Sequence, residues 1–378
     1  MKLIKYKLGD LIRQRRQKND SNDLPICGVT RDGFIPPKQQ DADTSLYNVF
    51  YLKDFVFNPA RMELNAIVFN DRYEKAICSS LYEVFYVHRP EVILPEYLAL
   101  LVKQDWFTRY CEFMGSGSAR EYCRVANISE LEIEVPPIEF QAEMARDNQI
   151  IRDRIELKRR INDNLANTEQ AILVETIGKN QTMPTTLGEL VDFIDGDRGK
   201  NYPTFDEFTS TGYCLFLNAS NVTSTGFNFD ACMFVTEDKD KSMNKGHLSL
   251  NDIVLTSRGT LGNVALYDKH IGFENVRINS GMLIIRPKTK RLSPHFIYAL
   301  LKSSYMKAAI ERFKSGSAQP QLPIKDLQKI VFEIPESDAV LASLDCQFLF
   351  IEEQISINNK EIDKLKELGS IFLAELSR

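Results

Sequence analysis

The chain has 378 residues, 43% of them apolar and 26% charged, which suits two or three globular domains, each with its own core. No apolar run approaches the ~18 residues of a membrane span, and the start MKLIKYKLGDLIRQRRQ lacks the apolar core of a secretory leader, so a cytoplasmic protein is expected. Seven scattered cysteines without CxxC spacing argue against a disulfide framework, four histidines without ligand partners argue against a metal site, and the net charge of −5 weighs mildly against a uniformly basic nucleic-acid binder.

Residues 1–138 form the first unit. Leu8-Gly9-Asp10-Leu11 opens it, and a basic patch follows with Arg13, Arg15, Arg16 and Lys18. Short strand-like segments then alternate with turns: Leu24–Val29, Leu46–Leu52, Phe55–Asn58, Ala66–Phe69 and Tyr82–Val87. An amphipathic helical run covers Tyr97–Phe113 and is broken by a Gly/Ser loop. A strand with apolar Leu131, Ile133 and Val135 follows and ends at Pro136-Pro137.

Residues 139–178 read as one long helix and 179–185 as a polar linker. Residues 186–336 form a second unit, opened by Leu187-Gly188-Glu189-Leu190 and again strand-rich: Tyr213–Asn218, Met233–Val235, Asp252–Thr256, Asn263–Leu266 and Met282–Ile285. Residues 337–378 read as a second long helix, with Ser337 or Asp338 as its cap.

The two units repeat one another. A shift of 199 lays Pro95–Pro136 on Pro294–Pro335 without a gap: Lys103 falls on Lys302, Ser116-Gly117-Ser118-Ala119 on Ser315-Gly316-Ser317-Ala318, and Pro136 on Pro335. The unit openings match at a shift of 179, so the second unit carries 199 − 179 = 20 extra central residues. The long helices match at a shift of 200. Their 4-3 spaced seams run through Ile151, Ile155, Lys158, Asn162, Leu165, Glu169, Ile172 and Thr176, which is the weaker and more polar of the two, and through Ile351, Ile355, Asn358, Ile362, Leu365, Gly369, Phe372 and Leu376. Matching seams suit each other as partners, although an amphipathic helix on its own domain would show the same spacing. Asn162 and Asn358 are polar seam positions of the kind that fix register at a cost in stability.

Enzyme signals are negative. Gly199-Lys200 is followed by Asn201, and Ile194 stands where the first glycine of a Walker phosphate loop would be, so this is no such loop. Asn58-Pro59-Ala60-Arg61 has a partial likeness to an adenine-methyltransferase pocket but lacks the stacking aromatic. Glu156-Leu157-Lys158 lies within the helical seam, where a charged helix surface accounts for it.

Binding signals lie in turns. Arg198, Lys200, Asn201 and Tyr202 follow the glycine-rich Asp195-Gly196-Asp197, and Arg258 sits between Ser257 and Gly259. Such side chains hydrogen-bond phosphates or base edges. Asn218 and Asn221, Arg31 and Arg61, and the loop residues Ser118, Arg120, Arg124, Ser317, Gln319 and Gln321 complete the set of candidate binding residues with Arg13, Arg15 and Arg16. Solvated loops are the alternative for each position.

The chain resembles the specificity subunit of type I restriction-modification systems over essentially its whole length. GSGSAREYCRVANISELEIEVPPIEFQAEM and KSGSAQPQLPIKDLQKIVFEIPE have that family's order of Gly/Ser loop, short strand, proline and helix start, and LGDL/LGEL, DGDRGKNYP, NASNVTS and LTSRGTLGNVALY accompany them. The second helix start, Pro335-Glu336-Ser337-Asp338, departs from the pattern in lacking Pro-Pro and the glutamine seen at Gln141. The resemblance implies an α+β fold with two mixed α/β target recognition domains related by the repeat, separated by two long helices forming an antiparallel coiled coil. It implies a non-catalytic chain reading a bipartite asymmetric site on double-stranded DNA. Two methyltransferase subunits that bind S-adenosylmethionine, and ATP-dependent restriction motor-nuclease subunits, would be its partners, with no cofactor on this chain. Residues 151–176 would span about 40 Å as a helix, close to one DNA turn of about 34–36 Å. A fused methyltransferase-specificity enzyme and a DNA-free coiled-coil scaffold are the rival readings; the missing cofactor loop opposes the first and the Arg-, Lys- and Asn-rich turns oppose the second.

Overall fold

The computed structural model describes residues 3–21, 23–37, 43–115, 122–288, 291–313 and 321–375. The chain divides into two compact units: Met1–Glu156 with Asp363–Arg378, and Leu157–Ile362. Both long helices, Ile138–Lys179 and Asp338–Glu375, therefore contribute a part to each unit.

In the first unit, Ile4–Lys7 pairs antiparallel with Glu132–Val135, Ile4 opposite Val135. The alternation read at Leu131, Ile133 and Val135 buries those three side chains in the core. An antiparallel sheet has the order Ile12–Arg15, Glu83–Val87, Phe55–Phe57, Ile67–Phe69. Its aromatic face packs inward, with the Phe55 and Phe85 rings stacked 4.8 Å apart. A second sheet has the order Gly33–Ile35, Ile26–Thr30, Lys75–Cys78, Asn48–Tyr51, and its middle pair is parallel.

The second unit follows the same plan. Thr182–Thr186 pairs antiparallel with Val331–Pro335, Met183 opposite Ile334. A shift of 179 carries Ile4 to Met183, and a shift of 199 carries Val135 to Ile334. The antiparallel sheet has the order Val191–Asp195, Met282–Pro287, Ile253–Thr256, Val264–Leu266. In the second sheet Cys214–Leu217 again runs parallel to its neighbour, Val276–Ile278. The central segment adds the pair Val222–Thr223 and Gly226–Phe227 and the helix Glu237–Ser242, whose Thr236 Oγ1 accepts from the Lys239 N–H.

Three details differ from the sequence reading. The segment read as a linker, 179–185, carries the strand Thr182–Thr186; its threonines suit a strand, and Pro184 is tolerated because the sheet has only two strands. The run Tyr97–Phe113 is two helices, Pro95–Leu101 and Asp105–Gly115. Its counterpart at a shift of 199 is likewise two helices, Pro294–Lys302 and Ser304–Phe313. There Ser303 leaves the helical conformation at ψ 152°, and its Oγ accepts from the Met306 N–H, so it caps the second helix while ending the first.

The start of the first long helix is tied by Gln141, fully buried, whose Nε2 donates to the carbonyls of Val92 and Pro136 and whose Oε1 accepts from the Leu94 N–H. At the second helix start, which lacks that glutamine, Arg291 donates to the carbonyls of Pro335 and Glu336 and pairs with Asp338 at 2.9 Å. Ser337 Oγ accepts from the Val340 N–H there.

Within the second unit the two long helices touch. Asn358 Nδ2 donates to Asn162 Oδ1 at 2.8 Å, and Asn162 Nδ2 donates to Asn359 Oδ1 at 2.9 Å. Lys158 Nζ pairs with Glu361 at 2.7 Å. Residue 158 meets 361 while 162 meets 358, so the helices run antiparallel here. Ile351, Asn358 and Ile362 are buried; Lys158, Asn162, Leu165, Ile172 and Ile355 are half-buried. Within the first unit Ile151, Ile155, Leu365, Gly369 and Phe372 are half-buried, and Phe372 and Leu373 pack on the core. Leu376 lies outside the described residues.

Candidate nucleic-acid interface

In the second unit, loops from four segments meet at Asn279–Gly281. Gly196 lies so close that a Cβ there would sit 2.1 Å from the Asn279 carbonyl oxygen. Only glycine lets the Asp195–Tyr202 turn rest on that loop. Asp197 organises the turn from below: it accepts the Gly199 and Asn244 N–H groups, each at 2.7 Å. These backbone donors hold its carboxyl below the usual range, Gly199 first. The Ser257 Oγ donates to the Gly281 carbonyl at 3.0 Å, the Arg258 N–H donates to it at 3.1 Å, and Gln321 bridges to Arg258. The Asn279 N–H donates to the Leu217 carbonyl, bringing in the Asn218–Asn221 turn.

The polar side chains of this cluster divide into two groups. Asn221, Ser257, Asn201 and Asn218 hold the loops. Asn221 is buried and donates to the carbonyls of Asn228 and Ala231; Asn201 donates to Ser242; Asn218 accepts from Ser220. Tyr202 packs edge-on to Phe216 at 5.6 Å. Arg198 is half-exposed, bound to Asp195 at 3.1 Å and to the Ser280 carbonyl at 3.2 Å. Lys200 is exposed, and neither it nor the Arg258 guanidinium has a hydrogen-bond or ionic partner among the described residues. The arrangement presents three cations from a rigid set of loops, which fits acceptors on a phosphate or a base edge.

In the first unit the basic patch is largely engaged. Arg15 forms a two-pronged pair with Asp54 at 2.6 and 3.0 Å, and its guanidinium lies 4.8 and 4.7 Å from the Tyr51 and Tyr86 rings. Arg13 donates to the carbonyls of Gly9 and Ile12, Arg16 to Gln14, and Lys18 to Leu46 and Asn48. Arg61 is exposed on the turn after Asn58, whose side chain accepts the Ala60 N–H. The Pro59 carbonyl in turn accepts the Cys123 N–H, which brings Arg124 close to this turn. Arg124 pairs with Glu83 at 3.0 Å and lies 5.5 Å from the Tyr122 ring. Glu83 and Tyr122 were missed from sequence: Glu83 is an acid within a strand, and Tyr122 was passed over between the candidate residues Arg120 and Arg124. Arg31 is elsewhere, on a cavity beside Lys103. Ser118, Arg120, Ser317 and Gln319 lie outside the described residues.

Among the described residues no group of His, Cys, Asp and Glu is arranged to hold a metal ion, and no helix is long and apolar enough to cross a membrane.

Residues 181–367 match the model of the type I restriction modification DNA specificity domain. This part of the chain belongs to that specificity-domain family. It contains the loop cluster around Gly281 and the helix contacts at Asn358. The whole chain has the fold of a type I specificity subunit: it is similar to the crystal structure of the S subunit from M. genitalium, with a TM-score of 0.58 and 18% identity over 98% of this chain and 95% of that one. The HsdS subunit from Thermoanaerobacter tengcongensis matches at 19% identity over 99% and 96% of the two chains, with a TM-score of 0.36. A structure addressing complex assembly and conformational transition of a type I system matches at 18% identity over 99% and 97%, with a TM-score of 0.38. No curated protein sequence matches the chain.

Proposed function

We propose that this chain is the DNA-reading subunit of a type I restriction-modification complex. Each of its two α/β units is a target recognition domain that reads one half of a split, asymmetric site. The observation that carries this is the loop cluster of the second unit, where Arg198, Lys200 and Arg258 stand on loops fixed by Asp197, Ser257 and the Gly281 carbonyl. Fixed loops with exposed cations hold donors in place before DNA arrives, so little ordering entropy opposes binding. The repeated strand order of the first unit supports a second reading head with different loops.

The two long helices form an antiparallel coiled coil that sets the distance between the half-sites. The contacts Lys158–Glu361 and Asn162–Asn358 support that pairing. Methyltransferase subunits dock on the helices and supply S-adenosylmethionine chemistry, and motor-nuclease subunits supply ATP-driven cleavage. This chain contributes binding and no catalytic group.

Single-molecule methylation mapping tests the proposal. DNA from cells expressing this chain together with its methyltransferase subunit should show methylated adenine in a motif of two defined parts with a fixed gap. DNA from cells expressing either alone should show none. Methylation by this chain alone, or no motif from an assembled complex, overturns it.

A further inference from the structure

The second unit contains a buried charged cluster on its helix pair. Lys302 Nζ pairs with Glu169 at 2.6 Å and also with Glu352, and it lies 4.3 Å from the centre of the Tyr298 ring. Both carboxylates and the tyrosine are buried.

The shifts that relate the two units give the counterpart of each member. Lys302 corresponds to Lys103 and Tyr298 to Ala99, both at a shift of 199. Glu352 corresponds to Arg152 and Glu169 to Gly369, both at a shift of 200. The lysine is kept. One carboxylate has become an arginine, the other a glycine whose added Cβ would touch only Ile151 at 3.8 Å, and the tyrosine has become alanine.

Where the second unit is filled, the first has a cavity of about 480 Å³, lined by Ala99, Lys103 and Arg152 together with Arg31 and Arg146. Four cations face it against two acids, Asp32 and Glu96, and Glu96 is taken by Lys53 at 2.9 Å. Arg152 is held by Asp71 at 3.0 Å. Lys103 Nζ donates to the carbonyls of Arg31 and Ile67, which leaves its third N–H without an acceptor among the described residues. Burial, with Arg31 and Arg152 adding to it, pushes the Lys103 ammonium down to about 8. Phe69, Leu100 and Leu373 add apolar wall beside Ala99, and Asn148 and Gln149 add amide side chains.

We propose that this cavity is a binding site for a small organic phosphate. Its phosphoryl group takes the place of the two missing carboxyl side chains, between Lys103 and Arg152, and its apolar part fills the place of the missing tyrosine beside Ala99. Several converging cations suit a multiply charged phosphoryl group better than a single carboxylate. The volume falls in the ~300–1,000 Å³ range of small-molecule sites and far exceeds one phosphate ion. The inference stands apart from the proposed DNA reading, since of the candidate DNA contacts only Arg31 lines the cavity.

The test is calorimetric titration of the full chain with phenyl phosphate, pyrophosphate and succinate at matched ionic strength, using wild type, Ala99→Tyr and Arg152→Glu. Ala99→Tyr refills the cavity, and Arg152→Glu returns a carboxylate to Lys103, so the two act by different means. Saturable binding of phenyl phosphate, weakened about tenfold or more in both variants, is expected. Circular dichroism of each variant establishes that it is folded. No saturable binding, undiminished binding in both folded variants, or succinate binding as tightly as phenyl phosphate overturns the proposal. DNA affinity of the same variants separates the sources of phosphate: an equal loss for DNA would make the cavity a backbone contact and overturn the small-ligand site.

Discussion

Asn358 donates to Asn162 across the two long helices at 2.8 Å, and its own Oδ1 accepts from Lys158 at 2.9 Å. Asn358 is buried, and buried polar seam residues of this kind fix register at a cost in stability. Asn358→Leu removes one partner and leaves Asn162 Oδ1 and Lys158 Nζ with lost bonds. A loss of about 1–3 kcal/mol is expected in chemical denaturation. The double variant Asn162→Leu/Asn358→Leu should recover part of it, because two apolar residues satisfy each other. If the coupling in this double-mutant cycle is zero, the pair does not set the register. The same variants, assayed in the assembled complex, should broaden the accepted spacer length; an unchanged preference would remove the asparagines from the ruler.

Glu169 is fully buried beside Lys302 and Glu352. Burial pushes its carboxyl up from 4.5 to about 8; Lys302 opposes this and Glu352 adds to it. Lys302 itself is lowered by burial but raised more by Glu352, Tyr298 and Glu169, so it stays charged. Between about 4.5 and 8 the folded chain holds a proton on Glu169 that the unfolded chain has lost. The stabilisation is therefore complete below the lower value and disappears as pH rises through the upper one. Denaturation midpoints of the second unit should fall across that window, and Glu169→Gln should flatten the fall. An equal slope in wild type and variant refutes the assignment.

The fold was readable where local pattern and burial agree. The strands at Phe55, Ile253 and Ile133 alternate or run apolar between turn residues, and the duplicated Pro95–Pro136 stretch marked two units before any contact was known. The strand Ile12–Arg15 was not readable, because its basic residues look like a solvated patch until Asp54, 39 residues away, neutralises Arg15. The loops around Gly281 were readable as candidates through Gly196, Arg198 and Arg258. Their division into exposed cations and loop-holding amides was not, since it depends on which carbonyl each amide reaches. The cavity at Ala99 was invisible for a simpler reason: it consists of side chains that are missing relative to Tyr298, Glu352 and Glu169.

Arg15 is a candidate DNA contact whose side chain is engaged within its own unit. Its side chain sits between Tyr51 and Tyr86 and covers Asp54, which is 2% exposed. Arg15→Ala would leave a buried carboxylate without its cation, at a cost of about 3–5 kcal/mol. Thermal denaturation should show this in the first unit, and Asp54→Asn in the same background should restore part of the loss. DNA affinity should fall only in proportion to the unfolded fraction. A selective loss of affinity in a fully stable variant would return Arg15 to the DNA surface.

Arg258 is the contrasting case. Its backbone is fixed by the Gly281 carbonyl and its guanidinium has no partner among the described residues, so truncation removes no internal bond. Arg258→Ala should leave the thermal midpoint within experimental error of wild type. In the assembled complex it should weaken cognate DNA by about 1–3 kcal/mol. A phosphate contact would weaken all sequences alike and lower the salt dependence by about one unit, whereas a base contact would relax one position of the methylated motif. Salt titration and methylation mapping of the variant distinguish the two. Unchanged affinity at every salt concentration would place Arg258 outside the interface, and Arg198 and Lys200 would then carry the contacts of this cluster.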